Sequence, residues 1–290
     1  MRLDVKCVRD GARNLAGLSV ACLLGVAAAA EGQTVVEPAT ISSNRPGFSE
    51  TADVAGRGVL QLETGITFDG DRVGDDTAST FTGPAYLIRY GIARRFEFQA
   101  VSEGLFSHAV TVGGAASRET GMADLDLGVK AKLTTESEIG VNLALLAAVN
   151  LPTGTPAFSS GGYDPSFKLA ASRGLPGGWT GGGNLQWAWA TVSGTREQQH
   201  ALSASLSRGF AAGWSGYGEV FRLGGSAGAP TATSVQGGVA RVVGANMQLD
   251  LSVGRGLSGV STDWFVTTGV AIRRHGARQR TVPVTTAAAQ

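Results

Sequence analysis

The sequence predicts an all-β chain that closes into a transmembrane antiparallel β-barrel of about twelve strands, and three observations predict it. Residues 121–133, GMADLDLGVKAKL, alternate strictly. Leu125, Leu127, Val129, Ala131 and Leu133 point one way, and Asp124, Asp126, Gly128, Lys130 and Lys132 the other, the period of two that a half-apolar strand requires. Charged residues make up only 16% of the chain while glycine supplies 43 of 290 residues, an odd surface for a soluble protein and an ordinary one for a barrel facing lipid. Short and long connections alternate along an even number of strands, as in a barrel with both termini on one side, whereas a soluble sandwich has no reason to alternate so regularly. Alternation alone also fits a soluble sheet with an apolar core, so the choice of an outer-membrane barrel leans on the start of the chain.

Residues 1–30 read as a secretory signal peptide. Arg9 and Arg13 precede an apolar run over 15–30 that ends in four alanines. A buried N-terminal helix made from this run would have almost no polar face. Ser19-Val20-Ala21-Cys22 resembles a lipoprotein cleavage box, but cutting there would leave the most apolar part of the leader attached. The leader holds four of the 24 basic residues and two of the 23 acidic ones, leaving 20 against 21, a net charge of −1. No global field therefore favours nucleic acid or a ligand of one sign. Both cysteines, Cys7 and Cys22, fall in the leader, which removes disulfides and cysteine-ligated metals from the mature chain. About 260 residues remain, enough for one barrel, and none of them forms the run of about 18 apolar residues that a membrane helix needs. The expected organisation is a signal peptide (1–30), a periplasmic lead-in (31–57), the barrel (58–273) and a polar C-terminal tail (274–290).

The lead-in is polar and irregular, with Pro38, Asn44-Arg45-Pro46-Gly47 and Asp53, and is expected to tuck into the barrel mouth. The first strand covers 58–68, with Leu60, Leu62, Ile66 and Phe68 opposite Gln61 and Glu63, and a charged loop over 69–79 follows. The second covers 80–92 and the third 94–101, where Phe96 and Phe98 oppose Glu97 and Gln99. A long connection spans 102–120 before the fourth strand, 121–133. The fifth, 138–151, is apolar on both faces from Leu143 to Val149. Either the lead-in packs against it or it lies in a soluble core. After a long loop at 152–162, strands follow at 163–173 and 179–191, joined by the Leu175-Pro176-Gly177-Gly178 turn. A polar loop at 192–199 precedes strands at 200–210 and 214–223. A small loop at 224–231 leads to 232–242, then 247–253 and 262–273. Trp179, Trp187, Trp189, Trp214, Trp264, Tyr86 and Tyr90 fall toward strand ends, where interfacial girdles lie.

Several phrases in order carry a resemblance: Asn44-Arg45-Pro46-Gly47-Phe48-Ser49-Glu50, Gln61-Leu62-Glu63-Thr64-Gly65, Arg89-Tyr90-Gly91-Ile92, residues 121–130, Leu151-Pro152-Thr153-Gly154, and residues 248–256. From about residue 43 to 273 the chain resembles the outer-membrane family named for a MetA pathway of phenol degradation and often labelled simply transporter. The resemblance implies a transporter-like barrel, while its name does not carry a phenol substrate over to this chain. Asn44 stands where the family tends to write Asp.

With the apolar set facing lipid, the inward set is Glu63, Arg89, Glu97, Asp124, Asp126, Lys130, Lys132, Lys168, Glu219 and Asp250. Both signs are present, so a pore would be lined by paired charges with no single-sign filter. Glu219 lies between Tyr217 and Phe221, a place for a narrow, partly aromatic passage. Arg45 in the lead-in is expected to contact the periplasmic end of the lumen, with Glu63 as its partner. The expected function is passive passage of small solutes, hydrophobic or aromatic ones included, without cofactor or metal. The expected partners are outer-membrane lipid and the outer-membrane assembly machinery, with no nucleic acid and an oligomeric state left open. Two rival classes share the sequence: a structural or adhesin-like barrel, and an outer-membrane hydrolase using His108 or His200 with Ser107, Ser193, Ser203, Glu103 or Glu119. The hydrolase lacks a nucleophile-elbow phrase and any His-Glu-x-x-His run, so the chain is not expected to be an enzyme. The glycines lie in or between strands with no helix following, which excludes a phosphate cradle.

Overall fold

The structure is a computed structural model that describes residues 40–225 and 230–275. The expected signal peptide, residues 31–39 of the lead-in and residues 276–290 of the tail lie outside the described residues. The strands are β1 (Val59–Val73), β2 (Asp76–Ala93), β3 (Phe96–Ser102), β4 (Leu105–Val112), β5 (Ala115–Met122), β6 (Leu125–Thr134), β7 (Asn142–Leu151), β8 (Asp164–Leu175), β9 (Trp179–Val192), β10 (Thr195–Ala211), β11 (Trp214–Gly224), β12 (Ala232–Val243), β13 (Met247–Gly256) and β14 (Trp264–His275). A single helical turn, α1 (Glu136–Ile139), lies between β6 and β7.

Every pairing is antiparallel, and β1 pairs with β14 from Val59↔His275 to Gly70↔Trp264, closing the sheet. β2 meets β4 along its first half and β3 along its second, while β5 meets β4 and β6 meets β3. Thus β3 with β4, and β5 with β6, are two barrel strands each broken once, and the closed barrel has twelve. The break has a local cause: Pro84, which has no N–H to donate, sits between the Thr82↔Phe106 and Tyr86↔Ser102 pairs, where β2 changes partner.

The barrel is apolar outside and polar inside. Leu60, Leu62 and Phe68 of β1 are 42–47% exposed, whereas Gln61 and Glu63 between them are almost fully buried. The same inversion holds on β13, where Leu249, Leu251 and Val253 are exposed and Gln248, Asp250 and Ser252 are buried. Water-soluble sheets bury the opposite set.

Three expected loops are corrected. Residues 69–79, 102–120 and 192–199 are continuations of the strands, which run on to two-residue turns at 74–75, 113–114 and 193–194. Both turn residues of the middle hairpin, Gly113 and Gly114, have positive φ (56° and 83°), as such turns require. Where a hairpin projects past the apolar band both faces are wet, so alternation stops marking it as strand. The expected fifth strand also starts late. Residues 136–139 coil into α1, whose Glu138 accepts from the Thr135 N–H at 2.7 Å, and the strand begins at Asn142. Arg274 and His275, expected in the tail, complete β14.

The short turns after β2, β8, β10 and β12 share one end of the barrel with α1 and with the entry of the chain. There Ile41 donates to the Ala245 carbonyl (2.9 Å), Gly58 to Gly91 (2.7 Å) and Arg273 to Asn246 (2.9 Å). From this end residues 41–57 run inside the barrel, which explains why β7 is apolar on both faces. Its inward Ala144 packs with Ala52 of the lead-in and Ala170 of β8, all three at most 1% exposed.

Candidate functional site

The inward charges meet the lead-in, and each contact follows from strand register. Arg89 of β2 is fully buried between two carboxylates, Glu63 of β1 at 3.2 Å and Glu97 of β3 at 3.0 Å. Its remaining donors reach the Ser42 carbonyl (Nη1, 2.9 Å) and the Asp53 carbonyl (Nη2, 2.9 Å), so one guanidinium joins three wall strands to both ends of the lead-in. Glu97 also accepts from the Ala55 N–H.

Arg45 corrects the expected pairing. Its guanidinium donates to Asp250 of β13 (3.1 and 3.3 Å) and Thr267 of β14 (3.3 Å), while Glu63 receives only the Arg45 backbone N–H (3.2 Å), with the Asn44 N–H (3.0 Å) and the Ser43 hydroxyl (2.7 Å). Gly65 and Gly269, paired on β1 and β14, make room for it, since a Cβ at either would overlap the guanidinium. A double-mutant cycle on Arg45→Ala and Asp250→Ala, read by the heat resistance of the folded barrel in detergent, should therefore show coupling of about 1 kcal/mol or more. The cycle with Glu63→Ala should show less, and equal coupling in the two cycles would contradict this geometry.

Further along, Glu219 of β11 gathers the Phe48 N–H (2.7 Å), the Ser49 N–H (2.8 Å), the Ser49 hydroxyl and the Gln236 amide (2.7 Å). Phe48 stacks on Phe221 with ring centroids 4.5 Å apart, and Phe265 lies 6.2 Å beyond Phe221. The Glu50 N–H donates to the Asn184 side-chain oxygen of β9 (2.6 Å) and its carbonyl accepts from the Asn184 side-chain amide (3.0 Å), while its carboxylate lies between Lys168 (2.5 Å) and Lys130 (3.4 Å). Burial pushes the Glu50 carboxyl up, but Lys168 and Lys130 outweigh it and hold the group well below the usual carboxylate range. Asp53 pairs with Lys132 at 2.8 Å.

Two further inward residues have a different setting. Asp124 lies in the break between β5 and β6, where it accepts from the N–H groups of Gly154 (2.8 Å) and Ser160 (2.9 Å) and so anchors the loop after β7. Phe158 of that loop is buried and stacks on Phe106 of β4. Asp126 accepts from Asn150 at 3.1 Å. Sequence reasoning missed Glu50 and Asp53 as partners of the wall lysines. The available signal was the register: Lys130 lies opposite Glu97 but Lys132 and Lys168 have no carboxylate opposite in the sheet, and the lead-in carries Glu50 and Asp53.

His108 and His200 do not share a site. His108 faces inward and meets the Thr80 hydroxyl at 3.1 Å, while His200 alternates with the buried Ala201 and lies outside, opposite Trp187. Among the described residues, no group of three or more His, Cys, Asp or Glu side chains is placed to hold a metal ion.

Comparison with known proteins gives one family and a set of similar barrels. The model of the family described as "Putative MetA-pathway of phenol degradation" matches residues 43–273. An outer membrane channel from Pseudomonas putida F1 is similar over 79% of this chain and 99% of its own, with a TM-score of 0.63 and 16% identity. The translocator domain of the autotransporter NalP from Neisseria meningitidis (77% and 91% covered, TM-score 0.49, 13% identity) and the NanC porin (73% and 98%, 0.47, 10%) are further matches. No curated protein matches the chain in sequence.

Proposed function

The chain belongs to the "Putative MetA-pathway of phenol degradation" family, and from that premise we propose that it is an outer-membrane channel for passive passage of small solutes, narrowed at rest by its own lead-in. The observation that carries this reading is the way the lumen charges are neutralised. Arg45, Glu50 and Asp53 of a segment outside the sheet pair with Asp250, Lys130, Lys168 and Lys132 of the wall. Charges buried without partners cost several kcal/mol each, so a wall meant to stay dry would be apolar or paired within itself. A wall whose charges are met by a separate segment is suited to hydration when that segment shifts.

In this proposal Glu63, Arg89, Glu97, Lys130, Lys168, Glu219 and Asp250 line the route, with Asp124 and Asp126 toward its outer end. The stacked Phe48 and Phe221 support hydrophobic or aromatic solutes among those admitted. The protein is not an enzyme in this reading: of its three histidines, all on barrel strands, His108 and His200 lie on opposite faces of the wall, and His275 ends β14 at the barrel's other end from His108. The leader directs export, the assembly machinery inserts the barrel, and the two ends of the barrel's chain, Val59 and His275, lie together on the periplasmic side.

The test is conductance of the refolded mature chain in a planar bilayer, with uptake of small solutes into liposomes. Glu219→Gln should lower cation preference and Lys130→Gln should raise it, each by about twofold in permeability ratio. A folded protein that neither conducts nor admits any solute would leave the structural-barrel reading standing instead.

A further inference from the structure

We infer that the outer surface of the barrel at the ends of β8–β12 nearest the chain's entry binds anionic glycerophospholipid of the periplasmic leaflet through alternating arginines and tryptophans. The inference rests on the membrane placement proposed above. Five consecutive strands each present one such residue on the outward face: Arg173 on β8, Trp179 on β9, Arg208 on β10, Trp214 on β11 and Arg241 on β12. Arg208 pairs with Trp179 and Arg241 with Trp214 in register. Their guanidinium carbons lie 5.5 and 5.2 Å from the respective ring centroids. Between the two hairpins the pattern steps by two residues, since Arg208 lies opposite Gly216 and Trp214 is two positions nearer the turn. A tilted strand needs such a step to keep the series at one depth.

These arginines differ from those of the lumen. Arg45 and Arg89 are bound to carboxylates, whereas Arg173, Arg208 and Arg241 are exposed and make no salt bridge or side-chain hydrogen bond among the described residues. An arginine facing lipid is tolerated near the interface and costly at mid-membrane, which fits their place at strand ends. Held against an indole face, a guanidinium keeps its N–H edges free, and those edges match the oxygens of a phosphodiester. Leu206 and Val239, one outward position further into the strands, are exposed where acyl chains would lie. Three unpaired cations repel the ammonium of a zwitterionic headgroup, so the geometry selects a lipid of net negative charge.

The mature full-length chain, refolded in neutral detergent, is to be titrated with phosphatidylglycerol or phosphatidylcholine and bound lipid counted by native mass spectrometry. Phosphatidylglycerol should bind more tightly. The variant Arg173→Gln/Arg208→Gln/Arg241→Gln should lose that preference by about fivefold per arginine. Trp179→Phe/Trp214→Phe, which keeps an apolar ring, should weaken it less. Arg72→Gln/Arg222→Gln/Arg255→Gln at the opposite rim should leave it unchanged. Equal binding of the two lipids, an unchanged first triple variant, loss of preference only in the opposite-rim variant, or displacement of phosphatidylglycerol from this rim by an outer-leaflet phosphorylated glycolipid would each overturn the inference. Conductance of the same samples is a separate readout: a silent barrel that keeps its lipid preference would remove the channel reading alone.

Discussion

Arg89→Leu is expected to remove much of the barrel's resistance to heat in detergent, a loss of about 3–5 kcal/mol, the scale of breaking a buried ion pair by deleting one partner. The reason is the number of groups that depend on one side chain. Glu63 and Glu97, at most 1% exposed, both lose their cation, and the carbonyls of Ser42 and Asp53 lose their donor. Glu63 keeps Gln61 and three donors from residues 43–45, and Glu97 keeps Gln99 and Ala55, so both carboxylates remain hydrogen-bonded, Glu63 without its ion pair and Glu97 with only Lys130 opposite it on β6. Arg89→Lys restores the charge without the fork that reaches both carboxylates, and should recover only part of the loss. Arg89→Leu combined with Glu97→Gln removes one stranded charge and should be less damaging than Arg89→Leu alone. The measurement is the fraction of folded, fast-migrating barrel after heating in detergent. If Arg89→Leu unfolds at the wild-type temperature, the network is solvated and does not tie the lead-in to the wall.

How much of this was legible in the sequence depends on what a residue faces. On β6 and β13 one face meets the apolar surroundings and the other the lumen, so alternation at Leu125–Leu133 and Met247–Val253 marks both the strand and its inward set. The number of barrel strands survives the misread connection at 102–120 because β4 and β5 prolong strands already counted. That stretch hid its strands because a hairpin with water on both faces has no reason to alternate. The site was half legible for the same reason. Register makes Lys130 and Lys168 inward, but their partner Glu50 lies in an irregular segment with no period to orient it. Arg45 and Asp250 are 205 residues apart, and a carboxylate on the adjacent first strand was the nearer candidate. Glu63 does bind that segment, through backbone N–H groups that no side-chain pattern encodes.

Deleting residues 31–57 from the mature chain is expected to raise single-channel conductance roughly threefold or more, since it empties a lumen of fixed strand number. The segment is held at separated points around the wall: Asp250 on β13, Glu219 on β11, Asn184 on β9, Lys168 on β8, Lys130 and Lys132 on β6. It therefore crosses the lumen, and ions must pass beside it. Its backbone does not join the sheet ladder there, so removing it leaves all barrel strands paired, and the freed lysines and carboxylates gain water. The truncated barrel should fold with some loss of heat resistance, because Glu63 and Glu97 keep Arg89 while losing their lead-in donors. A second variant moves the readout the other way. The hydroxyls of Ser49 and Ser203 are 2.7 Å apart, and residues 31–290 contain no cysteine, so Ser49→Cys/Ser203→Cys in a chain starting at residue 31 can fix the segment to β10 under oxidation. Conductance should be lowest when this disulfide is formed and return on reduction. If the truncated, folded barrel conducts no better than the full chain, and the oxidised double variant no worse, the lead-in is part of the wall's structure and the route, if there is one, runs elsewhere.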